Sequence, residues 1–587
     1  MLKVELINPC KQPHFYINPL ILQQIKSNLE KTNKSEEYNI KLIDYSITSK
    51  KINKRSNNVD IAVFNTPFNS YNNIRKSVKA NKYTNVIFVG DTIKTGDIKK
   101  FLAAFKEEFP DTKFFAVGFL NEHIIGTLVT AIKNKTPIGA IQGTSFLNNG
   151  KVISSSIHTA VEPSSDKTYS TAFLLEATAM SSAHTTVEPS SDKTLFFSDE
   201  ILAEYKKRGM QIFLDGLTRG CKNCCNYCPI NCGTKNKKIK VVNQNNCDTL
   251  TMLSDKLREP LYIQFTDENF FDGDDKHLKR IQALCRQLQK IDFRGKIGID
   301  TRVDTIINES DDAAMREEKE NTWRQFSQNG LGYVYLGIET FSMPQLERYN
   351  KKIDVNCFEQ AINFLDKLNV KYTIGLILWD PLMKLEELEY NLDYIKKHCL
   401  LGKTASLLKE LRIPLVSNYF FNNQKTIEKK PCGPTDFVYL PRPKIAYVDD
   451  KVANILLVTR KIHDWFTTSG YRHSDVARFE QFFDVNTPTI LQQIPEIVSK
   501  MEFAILRYLT KHNPPSCDDS FFCINECYKE VKHIYENLQK IDKNAVSGKV
   551  KVVYNYYTNI FKNILVLIEK CFSQNNSLFL TYRTAHD

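Results

Sequence analysis

Apolar and polar positions along the chain fall into three regimes. Through the first 145 residues, short apolar runs alternate with amphipathic stretches. Residues 2–8, 39–44, 59–65, 85–90 and 113–118 are predicted as strands, and 19–29, 72–80, 97–109 and 122–133 as helices. Strand and helix in turn predict a doubly wound parallel sheet, whose ligands sit beyond the carboxyl ends of its strands. A second alternating region spans 206–420, with strand candidates at 211–214, 261–265, 296–300, 333–337, 372–378 and 412–416. Between them lie helical faces such as Leu278, Ile281, Leu284, Leu288 and Ile291, or Phe358, Ala361, Ile362, Leu365 and Leu368. Six such units predict a partial (β/α)6 barrel, with its chemistry at the carboxyl ends of the strands. From 421 to 587 the pattern becomes long helices rich in Tyr and Phe, at 452–466, 490–511, 525–541 and 550–572, which gives a mainly helical third domain.

Between the alternating regions, residues 146–205 are rich in Ser, Thr and Ala and read as a linker. His158 to Thr168 recur almost unchanged as His184 to Thr194. Two copies are too few for a solenoid, so the segment reads as a local duplication, with the two histidines carried along rather than selected as a metal pair.

Length and composition narrow the class. The chain has 587 residues, beyond what one hydrophobic core supports, and its 42% hydrophobic and 25% charged residues are ordinary globular values. No apolar run reaches the length of a membrane span and the amino terminus reads as a strand, so a cytoplasmic location without membrane partners is expected. The net charge of +12 is spread along the chain without a dense basic tract, and nucleic acid is not an expected partner.

The fifteen cysteines change the picture most, because five of them, Cys221, Cys224, Cys225, Cys228 and Cys232, fall within twelve residues just after the first barrel strand. In a reducing compartment clustered thiols point to metal or redox chemistry. Cys221, Cys225 and Cys228 are spaced C-x3-C-x2-C, which lets one short loop wrap three thiolates around three irons of a cubane cluster and leaves the fourth iron open. Zinc is the alternative, but the two C-x2-C pairs abut, whereas a zinc ribbon places about 15 to 20 residues between its knuckles.

The loop Thr218-Arg-Gly-Cys221-x3-Cys225-x2-Cys228, the barrel units and the preceding doubly wound domain resemble the radical S-adenosylmethionine (SAM) enzymes, in particular the subgroup with an N-terminal cobalamin-binding-type domain. Two further segments are similar to that subgroup: Ile263-Gln-Phe-Thr-Asp267-Glu-Asn-Phe270 after the second strand, and Val334-Tyr-Leu-Gly-Ile-Glu339-Thr in the fourth, with Leu346 and Lys351 downstream. The resemblance covers residues 1 to about 420. It implies that Cys221, Cys225 and Cys228 bind a 4Fe-4S cluster and that SAM chelates the open iron. One-electron cleavage would then give a 5'-deoxyadenosyl radical that abstracts a substrate hydrogen. It also implies cofactor contacts at strand ends: Asp267 and Glu268 toward the SAM ammonium, Arg302 toward its carboxylate, Glu339 toward the ribose.

The expected activity is therefore a cobalamin-dependent methyl transfer to an unactivated carbon. The alternatives are a non-methylating rearrangement or cyclisation over a vestigial cobalamin domain, and a zinc-stabilised binding protein. The expected partners are a small-molecule or peptide substrate and an electron donor such as flavodoxin or ferredoxin. The sequence departs from the family in lacking a D-x-H-x-x-G cobalamin motif, in placing Asp91 after Gly90 where relatives carry paired glycines, and in carrying Trp379-Asp380-Pro381 where a glycine-rich turn is usual. Cys224 reads as a spectator, and Cys232 offers a rival spacing with Cys224 and Cys228. Cys517, Cys523 and Cys527 read as packing thiols before an auxiliary cluster.

Overall fold

The computed structural model describes residues 2–9, 38–44, 59–66, 71–90, 98–117, 124–141, 144–148, 151–154, 211–214, 216–219, 221–228, 240–241, 246–257, 262–271, 275–308, 311–354, 356–415, 417–432, 439–471, 486–512, 515–542 and 548–573, with a few single positions besides. The duplicated segment with His158 and His184, Asp91, Cys232, the side chain of Cys517 and most of the helix predicted at 19–29 lie outside the described residues. The chain divides into two compact units, Met1–Leu261 with Arg412–Ile445, and Tyr262–Leu411 with Ala446–Asp587.

The first unit opens with β1 (Leu2–Asn8), β2 (Tyr38–Asp44), β3 (Ile61–Asn65), α1 (Tyr71–Asn81), β4 (Asn85–Val89), α2 (Ile98–Glu108), β5 (Lys113–Val117), α3 (Ile125–Asn134), β6 (Thr144–Asn148) and β7 (Lys151–Ser154). They build a seven-stranded sheet in the order β2-β1-β3-β4-β5-β6-β7, parallel through β5. In β4, Val86 to Val89 are all buried, because helices cover both faces and no alternation survives. Phe64, Phe88, Phe101, Phe105 and Phe114 fill one side, while Ile61, Val63, Ile87, Val89, Val117 and Leu128 fill the other. The Phe88 and Phe114 rings stack at 5.7 Å.

Two strands were not expected. β6 and β7 pair antiparallel and extend the sheet past β5, within the stretch read as the start of the linker. The dipeptide Asn149-Gly150 between them is a strong hairpin signal, outweighed in the sequence reading by the polar composition that follows.

β8 (Gln211–Leu214), with Ile212 and Leu214 buried, leads to β9 (Thr218–Arg219), which pairs antiparallel with β10 (Lys240–Val241); α4 (Asn246–Leu257) follows.

The second unit holds β11 (Tyr262–Phe265), α5 (Asp275–Lys290), β12 (Lys296–Arg302), α6 (Val303–Ile306), α7 (Ala313–Asn329), β13 (Leu331–Glu339), α8 (Met343–Arg348), α9 (Asn356–Lys367), β14 (Tyr372–Leu376) and α10 (Leu385–Lys397). The four strands are parallel neighbours in chain order, as successive β/α units demand. Their two faces differ in kind. Ile297, Ile299, Val334, Leu336, Ile338, Ile374 and Leu376 form one apolar, fully buried face. The other carries Gln264, Asp300, Tyr335, Gly337 and Thr373, with Asp300, Tyr335 and Thr373 in one row across the sheet.

Among the described residues of 412–416 the predicted sixth strand does not form. Pro414, which has no N–H to give a ladder, makes only an isolated bridge to Tyr439. The place beside β14 is taken by the preceding segment, through Ile374 N to Lys403 O and Ala405 N to Ile374 O, both 2.7 Å, and Leu411 N to Trp379 O at 2.9 Å. α11 (Asn418–Ile427), capped by Ser417, belongs to the first unit.

Four helices complete the second unit: α12 (Asp450–Thr468), α13 (Thr489–Lys511), α14 (Cys517–Gln539) and α15 (Gly548–Ser573). Two buried acids tie the barrel segment to them. Glu410 forms a two-point pair with Arg460 at 2.7 and 2.9 Å, and Glu502 accepts from Ser406 Oγ at 2.9 Å and Leu407 N at 2.8 Å. Among the described residues no helix is long and apolar enough to cross a membrane.

Candidate functional site

The cysteine loop leaves β9 and is folded by a turn in which Cys228 N donates to Cys225 O at 3.1 Å. α11 holds it in place, since Tyr419 N donates to Asn226 O at 2.9 Å. Cys221, Cys225 and Cys228 are half-buried and Cys224 is exposed. Asn223 Nδ2 stands 3.5 Å from Cys221 Sγ, a donor placed to steady a thiolate. Among the described residues no three His, Cys, Asp or Glu side chains stand close enough to hold a single metal ion. A cubane cluster makes a different demand, because each thiolate binds its own iron and the sulfurs stand farther apart than around one tetrahedral ion. Three half-buried thiols on one turn suit that donor set.

In the second unit, Asp267, Arg302 and Glu339 close the neighbouring strands β11, β12 and β13 at their carboxyl ends. Asp267 is 3% exposed and Glu268 half-buried. The segment they belong to is pinned to β12: Asn269 Oδ1 accepts from Thr301 Oγ1 and Arg302 N, both at 3.0 Å, and Phe270 N donates to Asp300 O at 2.9 Å. Below it, Phe270 stacks on Phe265 and Phe326, and Phe271 on Trp323, so apolar packing fixes where the acids stand.

Glu339 sits on a bulge of β13 with φ +74, a left-handed conformation that costs a non-glycine residue on the order of 1 kcal/mol or more. The strain turns its carboxylate to Lys351 Nζ at 2.8 Å, and that ammonium is buried. Gly337 makes room, since a Cβ there would come within 3.2 Å of Glu339 Oε1. Arg302 grips Asp304 at 2.9 and 2.8 Å and donates to Lys351 O at 2.8 Å. From sequence Arg302 and Glu339 stand as separate strand-end contacts; the structure links them through Lys351. A lysine twelve residues after a strand-end glutamate was the available signal.

In the first unit, Gly90 ends β4 with φ +105, and a Cβ there would stand 2.5 Å from Asn65 Oδ1. Glycine at this position lets the carboxyl end of β4 close against that of β3, at the edge of the sheet where ligands of doubly wound folds sit. Trp379 and Asp380, where a glycine-rich turn was usual, are fully buried: Trp379 Nε1 donates to Leu407 O at 3.0 Å and Asp380 Oδ1 accepts from Leu382 N at 2.7 Å. That turn is built for packing. Cys523 and Cys527 are also buried, and burial pushes the Cys523 thiol up to about 12 and the Cys527 thiol higher still, so both behave as apolar packing groups.

No protein-family model matches the sequence. A curated relative, 4'-phospho-dehydrooxetanocin synthase of Priestia megaterium, is 26% identical over 244 residues, which is 40% of this chain and 32% of that protein; the match spans about a third of the relative's length. Among solved structures, the cobalamin-dependent S-adenosylmethionine radical enzyme OxsB with aqua-cobalamin bound superposes with a TM-score of 0.65 at 16% identity, covering 97% of this chain and 81% of that one. The radical S-adenosylmethionine methyltransferase TsrM of Kitasatospora setae, with cobalamin and a 4Fe-4S cluster bound, gives 0.53 at 13% identity over 73% of this chain and 76% of that one. The resemblance carried by the cysteine loop and the fold of nearly the whole chain agree: the protein is built on the architecture of the cobalamin-dependent radical SAM enzymes.

Proposed function

We propose that the chain is a cobalamin-dependent radical SAM enzyme acting on a small-molecule substrate, with an external one-electron donor such as flavodoxin or ferredoxin. The observation that carries this reading is the loop of Cys221, Cys225 and Cys228 on a chain 97% of which superposes on OxsB. In the proposal these three thiolates hold a 4Fe-4S cluster with one open iron, and the carboxyl edge at Gly90 takes cobalamin. When bound, the cluster and SAM supply a 5'-deoxyadenosyl radical. Residues 1–145 with the β6–β7 hairpin then serve as cobalamin domain, the rest of 146–205 as linker, 206–420 as barrel, and the helices from α12 onward as cover.

The residues at the strand ends bind and orient. Asp267 and Glu268 attract the SAM ammonium, and Glu339, aimed by Lys351, accepts from the ribose hydroxyls. Arg302 reaches the SAM carboxylate by exchanging its Asp304 partner.

The fate of the SAM methyl group separates two products. The curated relative is by name a synthase and OxsB overlaps more of the chain than TsrM does, which favours a non-methylating product; TsrM supports methyl transfer to carbon as the second reading. Anaerobic reconstitution should give iron and sulfide in equal amounts and retained cobalamin, and SAM with a reductant should yield 5'-deoxyadenosine. Label from the SAM methyl appearing in product selects the second reading; stoichiometric zinc with no iron sinks both.

A further inference from the structure

The polar face of the barrel sheet carries a gradient that neither the cluster nor the proposed SAM contacts use. On its β11–β12 side are acceptors: Asp300, whose Oδ1 receives a hydrogen bond from Gln264 Nε2 at 3.1 Å. On its β13–β14 side are donors. Tyr335 lies directly across from Asp300 on one side and Thr373 on the other. Its ring leans over Gly375, where a Cβ would stand 2.7 Å from the phenol oxygen, so glycine there lets the hydroxyl reach across β14. Lys409, from the segment running beside β14, hydrogen-bonds to that oxygen.

The phenol therefore has its own hydrogen left to donate, and among the described residues none accepts it. Burial raises the Tyr335 pKa, which keeps that hydrogen in place. Thr373 Oγ1 is a second, independent sign: the residue is 1% exposed and the hydroxyl has no hydrogen-bond partner. A buried hydroxyl without a partner is costly unless a ligand completes it. Lys409 itself is held between Glu410, paired with Arg460, and the 406–407 turn, bonded to Glu502, so its backbone is fixed on both sides.

We propose that Tyr335, Thr373 and Lys409 form an oxyanion-binding floor in the barrel, so that the substrate carries a phosphate or carboxylate at one end and a hydroxyl or amine facing Asp300 at the other. The charges of Lys409 and Asp300 set that direction: an oxyanion is attracted at the Lys409 end and repelled at the Asp300 end. This rests on the proposed function, of which it names the substrate class.

The test titrates inorganic phosphate and acetate into the reconstituted, SAM-loaded protein and follows 31P and 13C line broadening. The expected result is saturable binding of one anion, weakened at least tenfold in Tyr335→Phe and Lys409→Met and largely restored in Lys409→Arg; phosphate alone marks a phosphorylated substrate, acetate alone a carboxylate. Tyr335→Phe removes a single oxygen, so it decides the matter if Lys409→Met does not fold. Binding of neither anion, or equal binding in wild type and both variants, overturns the floor. Formation of 5'-deoxyadenosine by the wild type is read separately. Anion binding without it keeps the floor and removes the radical reading, whereas 5'-deoxyadenosine without anion binding does the reverse.

Discussion

The chain contains two parallel sheets made by the same alternation of strand and helix, and they differ in what their second face is for. In the N-terminal sheet both faces are apolar: Phe64 and Phe88 pack under helices on one side, Ile61 and Ile87 on the other. In the barrel sheet one face is equally apolar, but the other bears Gln264, Asp300, Tyr335 and Thr373, with Glu339 and Lys351 at its edge. A sheet buried on both sides can offer a ligand only its rim, where Gly90 turns the chain. A sheet with a polar face can line a chamber with chemistry. The same supersecondary unit thus yields a platform in one place and a reaction vessel in the other.

The largest test of this division removes a cluster ligand. Cys225→Ala is expected to abolish iron binding and bring 5'-deoxyadenosine formation to background, while far-UV circular dichroism and cobalamin retention by the N-terminal sheet stay unchanged. Loss of cobalamin together with iron would show that the platform and the vessel are not separate. Next in size is Phe88→Ala, which empties a site walled by Phe101, Phe105 and Phe114 and should cost about 3–5 kcal/mol. Its signature in denaturant is early unfolding of the first unit, which holds the N-terminal sheet and the cysteine loop, while the second unit with Tyr335 and Thr373 stays folded.

How far the sequence carried this picture depends on the kind of signal. Runs buried on both faces mark β1, β3, β4 and β5 to within two residues, because continuous burial leaves an unbroken apolar stretch, whereas the edge strand β2 shows by its alternation of Ile40 and Leu42 with exposed Asn39 and Lys41. The cysteine spacing was legible for the same local reason. The hairpin at 144–154 was hidden by composition, and the sixth barrel strand was overcounted because Arg412-Ile-Pro-Leu-Val416 is apolar although Pro414 cannot pair. Least legible was the polar face itself. Tyr335, Thr373 and Lys409 come from three separate segments, and only the strand register brings them together.

A smaller effect probes the vessel's wall. Gly375→Ala places a Cβ 2.7 Å from the Tyr335 ring and should cost about 1–3 kcal/mol as the ring is displaced. By contrast Asp300→Asn, on the half-buried polar face, should cost under about 1 kcal/mol of stability, since the Gln264 hydrogen bond can be kept. A thermal melt in which Asp300→Asn falls as far as Phe88→Ala would mean that the polar face is core after all.

The smallest effect separates the two regions by pH. α14 begins with a capping box in which Ser516 Oγ accepts from Asp519 N at 3.1 Å and Ser516 N donates to Asp519 Oδ2 at 2.8 Å, with Tyr508 Oη donating to Asp519 Oδ1 at 2.8 Å. The Ser516 hydrogen bonds hold the Asp519 carboxyl below its usual pKa. A carboxylate whose pKa is lowered on folding contributes its stability above the unfolded value of about 3.9, and loses it as pH falls through the lower folded value. The helical part of the second unit should therefore gain exchangeable amides at the start of α14 in that acid window, while the Phe88 core, held by apolar contacts, does not respond. Hydrogen exchange resolved by segment checks it, and Asp519→Asn should remove the pH dependence at α14 and leave the N-terminal sheet as it was. Equal acid response in both regions would mean that their stabilities are coupled, and that the platform cannot be varied without disturbing the vessel.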